Sequence, residues 1–160
     1  MVAAAFALVL TSSAFGEGQP IPPLYTCEGK DISPPLAWTA PPPGTQSLAL
    51  IADDPDAPAK VWTHWVIYNL PASSRQLKEG FPPGAEAEGE IRQGINDSGD
   101  TGYGGPCPPS GVHRYFFKLY ALDAVLSLKP GATKKQLESA MEGHILGQGQ
   151  LMGTYRRKGR

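Results

Sequence analysis

Hydrophobic residues are concentrated in a few short runs, and the stretches between these runs are rich in proline and glycine. Short apolar or alternating runs bounded by such residues are typical of β-strands. Connections such as "APPPGT" and "NDSGDTGYGGPCPPSG" contain turn formers and interrupt helices. The pattern predicts strands at Ala5–Leu10, Ser47–Asp53, Trp62–Leu70 and His113–Leu122, and a further strand near Gln150–Arg156.

One segment, "TKKQLESAMEGH", has the pattern of a helix. It begins with Thr133, and Gln136 follows three residues later, which is the spacing of a capping box. Leu137, Ala140, Met141 and His144 then fall on one helical face, and His144 is expected as a buried histidine at the helix end. Strands followed by a late helix predict a mainly β fold, a β-sandwich of antiparallel or mixed strands with a short C-terminal helix. The 160 residues are predicted to form one domain, with residues 1–9 as a partly ordered lead or first strand.

The charge balance argues against one class of function, and the N-terminal sequence bears on the location of the protein. Fourteen basic and fifteen acidic residues give a net charge of -1, which argues against a broad nucleic-acid surface. The start "MVAAAFALVL" resembles a signal peptide but has no lysine or arginine before its apolar run, and it is too short to span a bilayer. We therefore expect a cytoplasmic protein without integral membrane association. A periplasmic or secreted location is the alternative if this run is a leader.

Cysteine and histidine patterns leave two questions open. Cys27 and Cys107 are either a disulfide or two buried thiols, and we expect thiols. No HExxH or CxxC spacing is present, so we predict neither a metal nor another cofactor.

Three aspartates and two histidines are candidates for a binding site. "DPDAP" directly follows an apolar strand, and His64 and His113 each stand near the start of a strand, on a largely apolar face. If the two strands are neighbours that run the same way, both rings meet at one end of the sheet beside the aspartates. On the predicted faces, His64 shares a side with Trp62, Val66, Tyr68 and Leu70, and His113 shares a side with Tyr115, Phe117, Leu119 and Ala121. The alternative is that both histidines are separate, hydrogen-bonded residues of the sheet.

Longer motifs point to a known family. "DPDAP", "WTHWVIYNLP" and "GYGGPCPPSGVHRYFFKLYALD" resemble the signature blocks of the phosphatidylethanolamine-binding proteins, which include the Raf kinase inhibitor proteins. "PIPPLYTCEGKDISPPLAW" and "EGHILGQGQLMGTYRR" resemble the bacterial and archaeal branch. The resemblance implies a sandwich with a rim pocket for phosphoryl groups and related anions. The pocket would be lined by Asp54, Pro58, Trp62, His64, Gly105, Cys107, Pro108, His113 and Tyr115. The loop from Gly105 to Pro109 would form part of its wall.

The resemblance also suggests roles for individual residues. Asp54 would face the ligand, and it would either orient a histidine or share a proton with a monoanionic phosphate, whereas Asp53 and Asp56 would be mainly structural. Arg114 is expected as structural support, either as a buried ion-pair partner or as a surface residue. Cys107 replaces a glycine of eukaryotic relatives, and its thiol would crowd or chemically modify the pocket.

The resulting expectation is a small binding or regulatory protein rather than an enzyme. Its ligand would be a phosphorylated headgroup, small molecule or phosphopeptide, and a kinase or protease is a possible protein partner. One alternative is a hydrolase that uses the His, Asp and Cys set of the pocket. Another is a kinase or protease inhibitor that acts through its loops. Because the chain ends at "RRKGR", without the longer C-terminal segment of eukaryotic relatives, we also expect apolar surface that a homodimer could cover.

Overall fold

The structure is a computed structural model that describes residues 6–159. Within this range the chain forms short and long β-strands, one turn of 3-10 helix at Pro23–Tyr25 and an α-helix. The elements are β1 (Phe6–Ala7), β2 (Leu10–Thr11), β3 (Leu36–Trp38), β4 (Ser47–Asp54), β5 (Trp62–Pro71), β6 (Gln76–Leu77), β7 (Arg92–Gln93), β8 (His113–Leu122), α1 (Lys134–Met141) and β9 (Ile145–Tyr155).

The strands form two sheets. The larger sheet has the order β1-β9-β8-β4-β5-β7, and the smaller sheet has the order β2-β3-β6. The pair β1–β9 is parallel, whereas the other pairs are antiparallel. The predicted fold class, mainly β with mixed strands and a short helix, is confirmed. In the described range, no helix is long and apolar enough to cross a membrane.

Two hydrophobic layers cover the two faces of the larger sheet. Between the sheets, Leu50 and Phe117 pack with Leu36 of the smaller sheet. On the opposite face, Leu137 and Met141 of α1 are buried in a second cluster. Strand β4 is buried along its whole length because it lies in the middle of the larger sheet. This buried strand brings "DPDAP" to the end of the sheet at which β5 and β8 begin.

The capping box of α1 is present as predicted. The Thr133 hydroxyl accepts a hydrogen bond from the Gln136 amide, and the Gln136 side chain accepts one from the Thr133 amide. The expected buried position of His144 is wrong, because the helix ends at Met141. His144 lies beyond that end, half-exposed, and its Nδ1 is 2.7 Å from a carboxylate oxygen of Asp123.

The N-terminal prediction is corrected by the structure. Ala5 lies outside the described residues, and the rest of Ala5–Leu10 is divided between β1 and β2, which belong to different sheets. The amide of Leu8 still donates to Gln148 of β9, but the amide of Val9 donates to the hydroxyl of Thr39. The chain therefore crosses from one sheet to the other at this point.

The last strand is longer than predicted. It begins at Ile145 rather than near Gln150, and it pairs with β8 over its length. Glycines interrupt its apolar pattern because the N-terminal segment packs directly on its backbone. A Cβ atom at Gly149 would lie 2.1 Å from the carbonyl oxygen of Leu8.

A β-bulge at His64 changes the face that this residue occupies. Thr63 lies opposite Asp53 of β4, and Trp65 lies opposite Ala52, so His64 is an extra residue between the two pairs. A bulge of this kind redirects a side chain and is common beside functional sites. The bulge lets His64 line the cavity at this end of the sheet. The residues from Trp65 to Tyr68 then alternate between the two faces.

The predicted common face of β5 is therefore wrong. Val66 and Tyr68 belong to the cluster beneath α1, whereas His64 lines the cavity on the other side. A second register shift occurs where Asn69 adopts a φ of 57°. It turns Leu70 into the core between the sheets.

Strand β8 keeps the predicted alternation. Tyr115, Phe117, Leu119 and Ala121 all face the core between the sheets, in line with His113. Strands β5 and β8 run in the same direction, as expected, but they are not neighbours because β4 lies between them.

Candidate functional site

The cavity lies where the end of β4 meets the starts of β5 and β8. Its volume is about 390 Å³. Residues from "DPDAP", from both strand starts and from the loop 105–109 line it. The lining residues are Asp54, Ala57, Pro58, Trp62, His64, Ser98, Gly105, Cys107, Pro108, Pro109, His113 and Tyr115.

All nine residues that the resemblance assigned to the pocket line this one cavity. Sequence analysis missed Ala57 and Ser98. Ala57 could have been found, because it stands inside "DPDAP" between two assigned residues. Ser98 comes from the turn "NDSGD", and no pattern in the sequence connects that turn with the strand ends.

Asp54 orients His113. One carboxylate oxygen, Oδ2, lies 2.7 Å from the Nδ1 atom of His113, and both side chains are buried. The other oxygen, Oδ1, accepts a 2.7 Å hydrogen bond from the amide of Asp56. The turn after β4 therefore holds the Asp54 carboxylate, and the carboxylate holds the imidazole of His113. The carboxylate also lines the cavity, so the two expected roles coincide.

His64 is held by the loop on the other side of the cavity. Its Nδ1 atom lies 2.7 Å from the carbonyl oxygen of Gly104, and its own carbonyl accepts a hydrogen bond from the Gly104 amide. Burial lowers the pKa of His64, and this effect exceeds the opposing effects of the Gly104 hydrogen bond and the Asp54 charge. Burial therefore favours the neutral form of this ring.

Tyr115 stands between the two imidazoles. Its ring makes an edge contact with His64, with centroids 5.2 Å apart, and stacks on His113 at 6.5 Å. Burial raises the pKa of Tyr115 well above its usual value, and the nearby Asp54 charge raises it further. The buried hydroxyl lies close enough to the Asp54 carboxylate for that group to raise its pKa, but it makes no hydrogen bond of normal geometry with any atom of the described residues. Such buried polar groups are rare in native proteins and call for an explanation.

A disulfide joins Cys27 to Cys107, with 5.5 Å between their Cα atoms. The expectation of two free thiols is therefore wrong. The separation of 80 positions hides the pair in the sequence, because the turn after the 3-10 helix and the cavity loop meet only in the fold. The predicted thiol at Cys107 is likewise wrong, because the Cys107 that lines the cavity is half of a disulfide.

Further contacts hold the cavity loop. The amide of Gly105 donates to the Asp31 carboxylate at 2.7 Å, and the amide of Cys27 donates to the Pro106 carbonyl. Prolines occupy positions 106, 108 and 109 and have no N–H group. In the segment 105–109, the Cys107 amide is thus the one backbone donor that neither proline nor the Asp31 contact removes.

Arg114 and Asp56 support the site from outside the cavity. The guanidinium donates to both carboxylate oxygens of Asp56 at 2.9 Å, and the Arg114 amide donates to one of them. This pairing lowers the pKa of Asp56 to about 2. Both side chains are partly exposed, so Arg114 is a surface residue in an ion pair. Their contact joins the turn after β4 to the start of β8.

Asp53 points to the opposite face of the sheet. Its buried carboxylate lies 3.2 Å from Nζ of Lys118 and 2.7 Å from Nζ of Lys134 in α1. Asp53 therefore ties the helix to the sheet and is structural, as expected. In the described part of the chain, no group of three or more His, Cys, Asp or Glu side chains is arranged to hold a metal ion.

Comparisons with known proteins place this site in a wider context. The family model described as phosphatidylethanolamine-binding protein matches residues 11–156. The chain is 58% identical over 148 residues to a UPF0098 protein of Methanothermobacter thermautotrophicus, which covers 92% of this chain and 98% of that protein. It is 53% identical over 149 residues to a UPF0098 protein of Aquifex aeolicus, covering 91% and 86% of the two chains.

Solved structures agree with these matches. A phosphatidylethanolamine-binding protein homologue of Chlamydia trachomatis, CT736, superposes with a TM-score of 0.87 at 46% identity, covering 95% of this chain and 99% of that one. YbcL of E. coli, described as a member of the mammalian family of these proteins, has a TM-score of 0.87 at 30% identity, covering 94% and 99%. The chain belongs to the phosphatidylethanolamine-binding protein family.

Proposed function

We propose that this protein binds the phosphoryl group of a small phosphorylated molecule in the cavity at the end of β4. The observation that carries the proposal is the Tyr115 hydroxyl, which is buried between His64 and His113 without a hydrogen-bond partner. An oxygen of a bound phosphoryl group would accept from this hydroxyl. It would thereby remove the cost of an unsatisfied buried donor.

The size and walls of the cavity fit a small organic ligand. Its volume of about 390 Å³ lies in the range of small-molecule sites. Pro58, Trp62 and Pro108 provide apolar surface beside the polar groups. The polar groups would hold the phosphoryl end, while the apolar wall would contact the carbon atoms of the ligand. A phosphorylated headgroup such as O-phosphoethanolamine has this division.

The disulfide favours binding over hydrolysis. A hydrolase that used Cys107 would need its thiolate, but the sulfur is bonded to Cys27. Among the described residues that line the cavity, only Ser98 and Tyr115 carry hydroxyl groups, and neither hydroxyl is hydrogen-bonded to a histidine. Among the described lining residues, the pair Asp54–His113 therefore has no hydrogen-bonded side-chain nucleophile. Inhibition of a kinase or protease through the loops stays a prediction of the family resemblance.

The test is an NMR titration of the histidine ring signals with inorganic phosphate and O-phosphoethanolamine near pH 6.5. We expect the signals of His64 and His113 to shift together and saturate, and the two ligands to compete. The third histidine, His144, serves as an internal control because it lies beyond α1, paired with Asp123. Its signal should stay in place.

A variant separates the site from nonspecific binding. Tyr115→Phe removes the unpartnered hydroxyl at nearly constant volume, so it should weaken phosphate binding by about tenfold. Shifts of all three histidines in parallel would indicate a general ionic effect. That result, or the absence of any shift, would refute the proposed function.

A further inference from the structure

The cavity has no fixed positive charge in its wall. Among the described residues that line it, none is a lysine or an arginine, and Asp54 contributes a carboxylate. The nearby guanidinium of Arg114 is engaged with Asp56, and Nε of Arg157 donates to the carbonyl of Pro108. A dianion would therefore enter beside the Asp54 carboxylate, and no lysine or arginine among the described lining residues would balance its charge.

The hydrogen bonds of the two imidazoles determine what they offer to a ligand. A carbonyl oxygen only accepts, so the Nδ1 atom of His64 carries the hydrogen toward Gly104. The same reasoning places a hydrogen on Nδ1 of His113, toward the Asp54 carboxylate. In each neutral ring, the remaining polar atom, Nε2, is then a hydrogen-bond acceptor.

Donors in the cavity are few. The Tyr115 hydroxyl and the Cys107 amide can donate, whereas the Gly105 amide is already bonded to Asp31. Ser98 adds a hydroxyl at the exposed rim. A sulfate or a phosphate dianion has only acceptor oxygens, so it would meet the lone pair on Nε2 of His64 without a proton between them. The protonated monoanion of a phosphoryl group has one hydroxyl that can donate to Nε2, and its other oxygens can accept.

We infer that the cavity selects a phosphoryl group that carries a proton. His64 is the specificity-determining residue, because its Nε2 atom accepts a hydrogen bond from the hydroxyl of that phosphoryl group. The inference rests on the proposed function, because it names the ionic form that the same cavity takes. Lowering of the His64 pKa by burial supports it, since the ring stays an acceptor at neutral pH. The charged and titratable groups around this ring are Asp31, Asp53, Asp54, His113 and Tyr115.

The test compares two ligands of the same shape, O-phosphoethanolamine and its sulfate ester analogue, 2-aminoethyl sulfate. Calorimetric titration at pH 6.0 should show binding of the phosphate ester that is at least about tenfold tighter, because only this ester can donate to His64. The ³¹P chemical shift of the bound ester gives a direct second readout. A free phosphate monoester loses its last proton with a pKa of about 6. We expect the bound ester to keep the shift of the monoanion at pH 7.

Two variants separate selection from simple affinity. Tyr115→Phe removes a donor that both esters use, so both should weaken by similar factors and their ratio should persist. His64→Gln places an amide near Nε2 that can turn its N–H group toward the ligand, so the ratio should fall toward one. If this variant does not fold, the ³¹P shift with the unmodified protein decides.

The possible failures are distinct. Equal binding of the two esters, with a dianion shift for the bound phosphate, would overturn the selection of a protonated group and leave the proposed function intact. Absence of binding for both esters at every pH would refute the proposed function and this inference with it.

Discussion

Tyr115 opposes stability in the described structure, and under the proposed function the same side chain would support binding. Its hydroxyl is buried but has no hydrogen-bond partner in the described structure. A polar group in this state lowers the free energy of unfolding, because water bonds to it in the unfolded chain. The ligand-free protein is therefore less stable, and under the proposed function a ligand that accepts the hydrogen bond would restore this stability.

Replacement of Tyr115 by phenylalanine should therefore stabilise the ligand-free protein. We expect the free energy of unfolding to rise by about 1 kcal/mol, measured by urea denaturation. Tyr103→Phe is the matched control, because the Tyr103 hydroxyl donates to the Tyr25 carbonyl at 2.6 Å. That variant should lose stability. A loss in both variants would show that the Tyr115 hydroxyl is satisfied in solution.

His64 predicts a pH dependence with a definite sign. Its pKa is lowered in the folded state, whereas an unfolded chain has a histidine pKa of about 6.5. The unfolded state therefore binds more protons, and stability falls as the pH drops below about 6.5 toward the folded pKa. Asp56, with a pKa of about 2, acts in a separate window below about 4, the usual carboxyl range.

Urea denaturation between pH 7.5 and 5.0 would measure this effect. The unmodified protein should lose stability across the range, and His64→Gln should lose less, because glutamine does not titrate. The difference between the two slopes isolates His64 from the other groups. Parallel slopes would mean that the buried ring does not titrate in this window.

Individual site residues could be predicted because they stand in two contiguous motifs. "DPDAP" and the start of β8 contain Asp54 and His113, and the structure brings them into direct contact. The unpartnered state of Tyr115 and the lowered pKa of His64 could not be predicted. Both depend on atoms from β4, β8 and the cavity loop that meet only after folding.

At the scale of elements, the bulge in β5 determines the geometry of the site. Without the extra residue between the pairs Asp53–Thr63 and Ala52–Trp65, His64 would lie on the face of Val66, beneath α1. Strict alternation along "WTHWVIYNLP" therefore assigned the wrong partners to this histidine. A bulge has no reliable sequence signal, because it arises from the pairing of two strands and not from either strand alone.

The cavity loop is the second element on which the site depends, and Gly105 is its tightest contact. A Cβ atom at this position would lie 2.3 Å from both the Asp31 carboxylate and the Tyr25 carbonyl. Gly105→Ala should therefore push the loop away from the turn at 25–31. We expect weaker phosphate binding by about tenfold and a loss of stability of about 1–3 kcal/mol, measured by calorimetric titration and urea denaturation.

Gly16→Ala is a control for this substitution. Its added Cβ would lie 3.6 Å from the Gln19 side chain, which is an ordinary van der Waals distance. Stability and phosphate binding should stay unchanged in this variant. Unchanged binding in Gly105→Ala would show that the loop contributes little to the site.

At the scale of the whole molecule, the central strands β4, β5 and β8 and the helix α1 were predictable, whereas the start of β9 and the connections were not. Strands β4, β5 and β8 are long and mostly apolar, so their bounds differ by at most one residue from those predicted. The short strands β3, β6 and β7 have two or three residues each and no periodic pattern. Their existence depends on pairing with distant segments, which a local pattern does not contain.

The disulfide is the covalent connection between two of these distant segments. Cys27 and Cys107 are 80 positions apart, so the bond restricts the unfolded chain strongly. Reduction with dithiothreitol should lower the free energy of unfolding by about 2–4 kcal/mol, as measured by urea denaturation. A double variant with serine at both positions should match the reduced protein. Equal stability of the oxidised and reduced forms would contradict a bridge in the native protein.

The same bridge, together with three prolines at 106, 108 and 109, has a thermodynamic consequence for recognition. A wall whose backbone is already restricted loses little conformational entropy when a ligand arrives. More of the contact energy then appears as affinity, even for a ligand with few atoms. The rigid wall also limits the size of ligand that the cavity accepts, because its backbone does not rearrange around a larger ligand. We therefore expect a binder that discriminates sharply by ligand size rather than one that adapts to many shapes.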